Sequence, residues 1–142
     1  MNESLSHFQA VCREAFAFLA PYGFHEIEAP SDTHNPYVVA FENSVVTVRI
    51  AGEGWGTIAS VEYKDRTNRS VPTAILEPNW KLSAKRKKIS RRKSPTQDEQ
   101  IFAAARRIRE RDHDILSGNH ERLDAAAIAW QEVVLARLKK EA

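Results

Sequence analysis

One cysteine in 142 residues, Cys12, leaves no partner for an internal disulfide and no thiolate set for a zinc cluster. That usage fits a reducing compartment. No stretch approaches the ~18 apolar residues a membrane span needs, and the start Met1-Asn2-Glu3-Ser4-Leu5 lacks the basic residue and apolar run of a signal peptide. The expectation is a cytoplasmic protein without a membrane partner. Prolines (six) and glycines (five) are also few, and with 42% hydrophobic residues the chain is too apolar for wholesale disorder. At this length roughly two thirds of the unfolded surface can be buried, enough for one core, so residues 1–142 are read as a single domain.

Chemical motifs are equally scarce. The histidines His7, His25, His34, His113 and His120 are scattered, and no two stand four apart, the spacing that sets two ligands on one helix face. Glu110 and His113 make one Glu-x-x-His, whereas a carboxylate-bridged metal centre needs two copies and two further glutamates. A charged solvated face accounts for it, since Arg109, Arg111, Asp112 and Asp114 surround it. Gly52-Glu53-Gly54-Trp55-Gly56 is glycine-rich, but it lies between two strand patterns and not before a helix, so it reads as a turn and not as a phosphate cradle. No Gly-x-Ser-x-Gly elbow is present. No catalytic residue, cofactor or metal ligand is therefore assigned, and an enzyme is not expected. Cys12 falls on an apolar helix face and reads as a small buried hydrophobe.

What is present is a change of hydrophobic period from 3.6 to 2 and back. Phe8, Val11, Cys12, Ala15, Phe16 and Leu19 form one stripe, which predicts a helix over about 5–20 closed by Pro21 and Gly23. Residues 29–36 collect turn formers. Tyr37–Glu42, Val45–Ile50 and Trp55–Tyr63 read as strands, the last two as a hairpin across Gly52-Glu53-Gly54, and Val71–Leu76 as an edge strand because Pro72 removes a ladder donor. Ser94 as N-cap, Pro95 at the first helical position and Gln97 in the capping-box place open a helix over 95–117. Ile101, Ala105, Ile108, Asp112 and Ile115 share one face, Gly118 ends it, and a second helix over 120–139 follows. The predicted fold is α+β: an N-terminal helix, a small antiparallel sheet of three or four strands and a C-terminal helical hairpin.

Charge is unevenly distributed. Eight basic residues and no acid lie between Lys81 and Lys93, which leaves 13 basic and 19 acidic residues, net −6, for the rest. The segment at about 80–94 reads as an exposed basic arm outside the core. Lys85, Arg86, Lys87, Lys88, Arg91, Arg92 and Lys93 could neutralise phosphates, could dock an acidic protein patch, or could be a solvated connector. Nucleic-acid readers interleave aromatics with such residues; here only Trp80 lies beside the run.

Phe16-Ala17-Phe18-Leu19 before Gly23-Phe24, then Val38–Asn43 and Val45–Ile50, and the ending Ala105 to Leu123 with Asp114-Ile115-Leu116-Ser117-Gly118, resemble small bacterial immunity proteins. These belong to polymorphic toxin and contact-dependent growth inhibition systems. The likeness spans most of the chain outside residues 64–97 and is carried by core patterns; the basic arm is no part of it. It implies a non-catalytic inhibitor that binds a cognate toxin domain in the cytoplasm. A basic toxin would suit the acidic body. The surface expected to meet it is the hairpin, Arg49, Glu53, Trp55 and Glu62, where Trp55 is either an aromatic anchor with a charged rim or a core residue at a strand start. The alternative function is a nucleic-acid-binding accessory protein that uses the basic arm.

Overall fold

The computed structural model describes residues 3–28, 35–54, 56–76 and 95–141. The first helix, α1 (Glu3–Ala15), buries Phe8, Val11 and Cys12, three side chains that the 3.6-residue period brings to one side. A 3-10 helix (Ala17–Tyr22) continues it and contains Pro21. Gly23, at φ 83°, stops it by turning its N–H back to the carbonyls of Ala20 and Leu19.

Five antiparallel strands follow: β1 (His25–Ile27), β2 (Val38–Glu42), β3 (Thr47–Glu53), β4 (Ile58–Lys64) and β5 (Ser70–Pro72). Sheet order equals chain order. The register sets Val39 opposite Ile50, Phe41 opposite Val48, and Ile50 and Val48 in turn opposite Val61 and Tyr63. That row, with Val71, is the sheet face that meets the helices in the main core. Val38, Ala40 and Ala51 alternate onto the other face and are buried as well, outside that core.

The sheet therefore has one strand more than the upper expectation of four. β1 was missed because three residues with two side chains exposed carry no period. The hairpin turn also lies later than Gly52-Glu53-Gly54: β3 runs through Glu53, which pairs with Ile58, and the turn is built by Gly54 (φ 62°) and Gly56 (φ 84°). After Pro72 the chain coils into a 3-10 helix (Thr73–Leu76), so the expected edge strand is only three residues long.

The next helix, α2 (Gln97–Arg111), starts two residues later than read from the sequence. Thr96 is the N-cap: its hydroxyl accepts from the Glu99 N–H while the Glu99 carboxylate accepts from the Thr96 N–H, both at 3.2 Å. The capping box is thus Thr96-x-x-Glu99, and the expected cap, Ser94, lies outside the described residues. Helix α2 rests on β4 and on α1. A single turn, α3 (His113–Leu116), and then α4 (Glu121–Glu141) complete the chain, with Gly118 at φ 108° between them. The last helix rests on β5 and the second 3-10 helix through its first half, so the two long C-terminal helices are anchored on different parts of the sheet. Among the described residues no helix is long and apolar enough to cross a membrane. The basic residues Lys85 to Lys93 lie outside the described residues, as does the expectation that 80–94 stands apart from the core.

Asn43 fixes the turn between β2 and β3. Its side-chain oxygen accepts from the Val45 and Val46 N–H groups, and its amide donates to the carbonyls of Tyr22 and Leu116. One side chain thus joins the turn to both the first 3-10 helix and α3.

Candidate functional site

A cavity of about 990 Å³ forms a groove at the end of the sheet where four chain segments meet. Ser4 and His7 of α1 form one wall, and Thr96, Gln97 and Asp98 at the start of α2 form another. Asn35–Tyr37 and the β3–β4 turn complete it. Its volume lies at the upper end of the ~300–1,000 Å³ usual for ligand sites.

Glycine lets the segments approach closely at one wall. A Cβ on Gly52 would stand 2.7 Å from the Gln97 amide nitrogen, 3.1 Å from the Phe8 ring and 3.3 Å from Tyr37 Cβ, so a larger residue would displace the Gln97 side chain and press on Phe8 and Tyr37. The turn is then clasped to α2 by two glutamines. Gln97 Nε2 donates to the Ile58 carbonyl at 2.9 Å, and Gln100 Nε2 donates to the Thr57 carbonyl at 2.8 Å. Gln100 Oε1 also accepts from the Ala59 N–H at 3.0 Å. On the far side, Asn35 Nδ2 donates to the Gly52 carbonyl at 2.9 Å while its oxygen accepts from the Tyr37 N–H at 3.0 Å. The walls are held by hydrogen bonds before anything enters.

Two polar pairs bridge the walls. His7 Nε2 lies 2.7 Å from Asp98 Oδ2, and Ser4 Oγ lies 2.6 Å from the Tyr37 hydroxyl. Both members of the first pair are solvent-accessible, so the contact contributes little to stability. Its importance is charge: among the described lining residues the charged groups are Glu53 and Asp98, with His7 beside them and no lysine or arginine.

Three of the four hairpin residues expected to form one surface are described, and strand alternation puts Arg49, Glu53 and Glu62 on the same face of the sheet. Glu53 lines the groove and is exposed. Arg49 and Glu62 face each other across β3 and β4, with Arg49 Nη1 donating to Glu62 Oε1 at 3.2 Å, and both are largely buried on the face away from α2. Trp55 lies outside the described residues. Asp98, His7, Asn35 and Tyr37 were not singled out from the sequence. Asp98 carried only the signal of an acid at a helix start, and the others no signal at all, because a groove drawn from four segments leaves no local spacing.

A second polar cluster is closed instead of open. Asp112 is fully buried and its carboxylate accepts from the Tyr63 hydroxyl at 2.6 Å, from Arg111 Nε at 2.7 Å and Nη2 at 3.0 Å, and from Arg122 Nη2 at 2.9 Å. Arg111 also donates to the Thr73 carbonyl, and Arg122 to Asp114 and the Arg111 carbonyl. Burial raises the Tyr63 hydroxyl well above its ordinary value, and the neighbouring Asp112 charge adds to that. Proximity of the two guanidiniums lets a carboxylate stand where the 3.6-residue pattern placed an apolar residue. The cluster closes the break between α2 and α3 over β4 and β5.

Two further ion pairs displace a carboxyl. Arg13 donates two hydrogen bonds to Glu26 and holds that carboxyl below its usual range. Burial raises the Asp65 carboxyl, but hydrogen bonds from Thr67 and Arg69 outweigh it and the net displacement is downward. No three His, Cys, Asp or Glu side chains converge as a metal site among the described residues. No protein-family model matches the chain, and no curated protein and no solved structure matches it.

Proposed function

We propose that the chain is an immunity protein, a non-catalytic binder that holds a cognate bacterial toxin domain inactive, and that the groove is where the toxin docks. The observation that carries this reading is the acidic, pre-braced groove: Glu53 and Asp98 both line it, with no described lysine or arginine among the lining residues. An arginine or lysine from a basic toxin entering the groove makes charge-assisted hydrogen bonds to such carboxylates that a neutral side chain cannot. The glutamine clasp keeps the walls in place, so little ordering cost is incurred on binding. The chain outside the basic segment carries net −6 and suits a basic partner, while the basic segment, which brings the whole chain to +2, must face away from that partner or meet an acidic patch on it.

The test is coexpression with the toxin domain encoded beside this gene, together with a direct titration. Wild type restores growth. Glu53→Lys combined with Asp98→Asn removes the acidic pair, and the lost charge contacts, about 2–5 kcal/mol if desolvated, weaken the complex by roughly 30-fold or more and abolish rescue. Both altered residues are solvent-accessible, so the melting temperature of the variant should move by no more than a few degrees. Full rescue by the folded variant removes the groove from the interface, and absence of binding by wild type removes immunity to that toxin. Strong nucleic-acid binding by wild type, with a log–log salt slope of about −4 to −7 that disappears when Arg86, Lys87, Arg91 and Arg92 become alanine, would move the function to the basic segment.

A further inference from the structure

Most of the described arginines are committed. Arg13, Arg49, Arg69, Arg111 and Arg122 each pair with a carboxylate, Arg66 donates to the Ser44 carbonyl, and Arg137 lies over the Trp130 ring. Arg106 and Arg109 differ: neither has a side-chain hydrogen bond or an ion pair among the described residues. They stand three apart on α2, and Phe102 precedes Arg106 by four, so the three side chains share one helix face. Phe102 is 38% exposed, whereas Phe8, Phe16, Phe24 and Phe41 are buried.

That face borders a second cavity, about 290 Å³, between α2 and the end of α1. Small side chains, Ala15 and Ala105, leave the space between the helices, and Phe18 forms an apolar wall whose ring is backed by Phe16 at 5.9 Å. Glu14 completes the lining, exposed and joined by no ion pair to either arginine. Two cations and an anion are thus held apart beside an open aromatic ring.

Each feature is ordinary alone, since single exposed arginines and a half-exposed phenylalanine occur on many surfaces. Together they are selective. An acidic peptide would satisfy the guanidiniums but meet Glu14 with like charge, and an apolar side chain would cover Phe102 while serving none of the three charges. A nucleoside phosphate uses every group: the base has a face to stack on an aromatic ring, the phosphate accepts from guanidiniums, and the exocyclic amine of cytosine donates to a carboxylate.

We propose that the cavity between α1 and α2 is a nucleoside-phosphate site, in which the base stacks on Phe102, Arg106 and Arg109 hold the phosphate, and Glu14 accepts from the exocyclic amine. The site shares no lining residue with the acidic groove and does not rest on the immunity reading.

Titration of the isotope-labelled full chain with cytidine monophosphate, followed by amide NMR shifts, tests it. Shifts should centre on residues 14–18 and 102–109, with a dissociation constant on the order of 1 mM, the weak affinity an open site allows. Uridine monophosphate presents a carbonyl where cytidine presents the amine, so it should bind roughly threefold or more weakly, and Glu14→Gln, which can accept or donate, should close that gap. Phe102→Leu keeps the packed part of the side chain and removes the stacking face, for about a fivefold loss or more. Arg106→Gln with Arg109→Gln should weaken binding by about tenfold, as should removal of the phosphate from the ligand. All of these side chains are exposed, so circular dichroism and melting temperature should stay in place. A short cytidylate strand that binds more tightly than the mononucleotide, through the same residues, names a strand as the natural source; equal affinity names the free nucleotide. No shifts at these residues up to about 20 mM overturn the proposal. So does binding that persists unchanged in both the Phe102 and the double arginine variants, which would place it on the basic segment. Stronger shifts with an acidic phenylalanine peptide than with the nucleotide would assign the cavity to a protein partner and overturn it as well.

Discussion

Replacing Asp112 with alanine should cost about 3–5 kcal/mol of folding stability, because it leaves two guanidiniums and a tyrosine hydroxyl facing a void where a carboxylate had satisfied them. In a chain of this size that lowers the melting temperature by about 10 °C or more. The Arg122 partner is partly exposed and screened by water, so Arg122→Ala should cost less than Asp112→Ala. Tyr63→Phe removes one hydrogen bond to a charge and leaves the ring packed, for about 1.5–3 kcal/mol. Urea titrations of the three variants give the ranking directly. A loss below 1 kcal/mol for Asp112→Ala would show that water enters the cluster and replaces the carboxylate.

Cys12 should be almost inert in the folded protein and reactive once it unfolds. Its side chain is fully buried, and burial, with smaller contributions from Glu26 and Asp98 against an opposing Arg13, pushes the thiol from 9.0 up to about 12. At pH 8 the thiolate fraction is then about a thousandfold lower in the folded than in the unfolded chain, before steric exclusion is counted. An aromatic disulfide reagent should therefore label Cys12 only through opening, and Asp112→Ala should accelerate labelling by about tenfold for every ~1.4 kcal/mol of stability it loses. The same shift makes the fold sensitive to alkali. A thiol whose folded pKa is raised keeps its proton while the unfolded chain releases it, so stability is intact below pH 9 and falls by roughly 1.4 kcal/mol per unit as pH climbs toward 12. The raised Tyr63 hydroxyl acts with the same sign above pH 10. Fast labelling of the native state, or unchanged stability at pH 11, would show that the α1 face is open to water.

The fold class was legible because its evidence is periodic and local. Phe8, Val11 and Cys12 are buried as their spacing required, and the alternation of Val48, Ile50, Val61 and Tyr63 appears as one covered sheet face. Short elements escaped. Three residues of β1 cannot express a period, and the single turn α3 looked like the continuation of α2 because Asp112 falls on the apolar stripe. There the position was right and the chemistry was hidden: only Arg111 and Arg122, one adjacent and one ten residues later, make a buried carboxylate tolerable. Alternation alone puts Arg49, Glu53 and Glu62 on the sheet face away from α2, where Arg49 and Glu62 pair, but Asp98, which lines the groove together with Glu53, is 45 positions away in the chain and shares no local pattern with it.

The sheet in which every strand pairs with its neighbour in sequence has a kinetic meaning. Each strand can join by closing a short loop, so β2, β3 and β4 can zip together without waiting for distant segments, and loop-closure entropy is met in small steps. The contacts that span the chain come from elsewhere: α1 against α2, and Tyr63 against Asp112. Those join the C-terminal helices to the sheet and to α1. Interactions absent from the transition state govern how fast a protein comes apart and not how fast it assembles. Asp112→Ala is therefore expected to raise the unfolding rate more than it slows folding, as loss of a contact that closes late should.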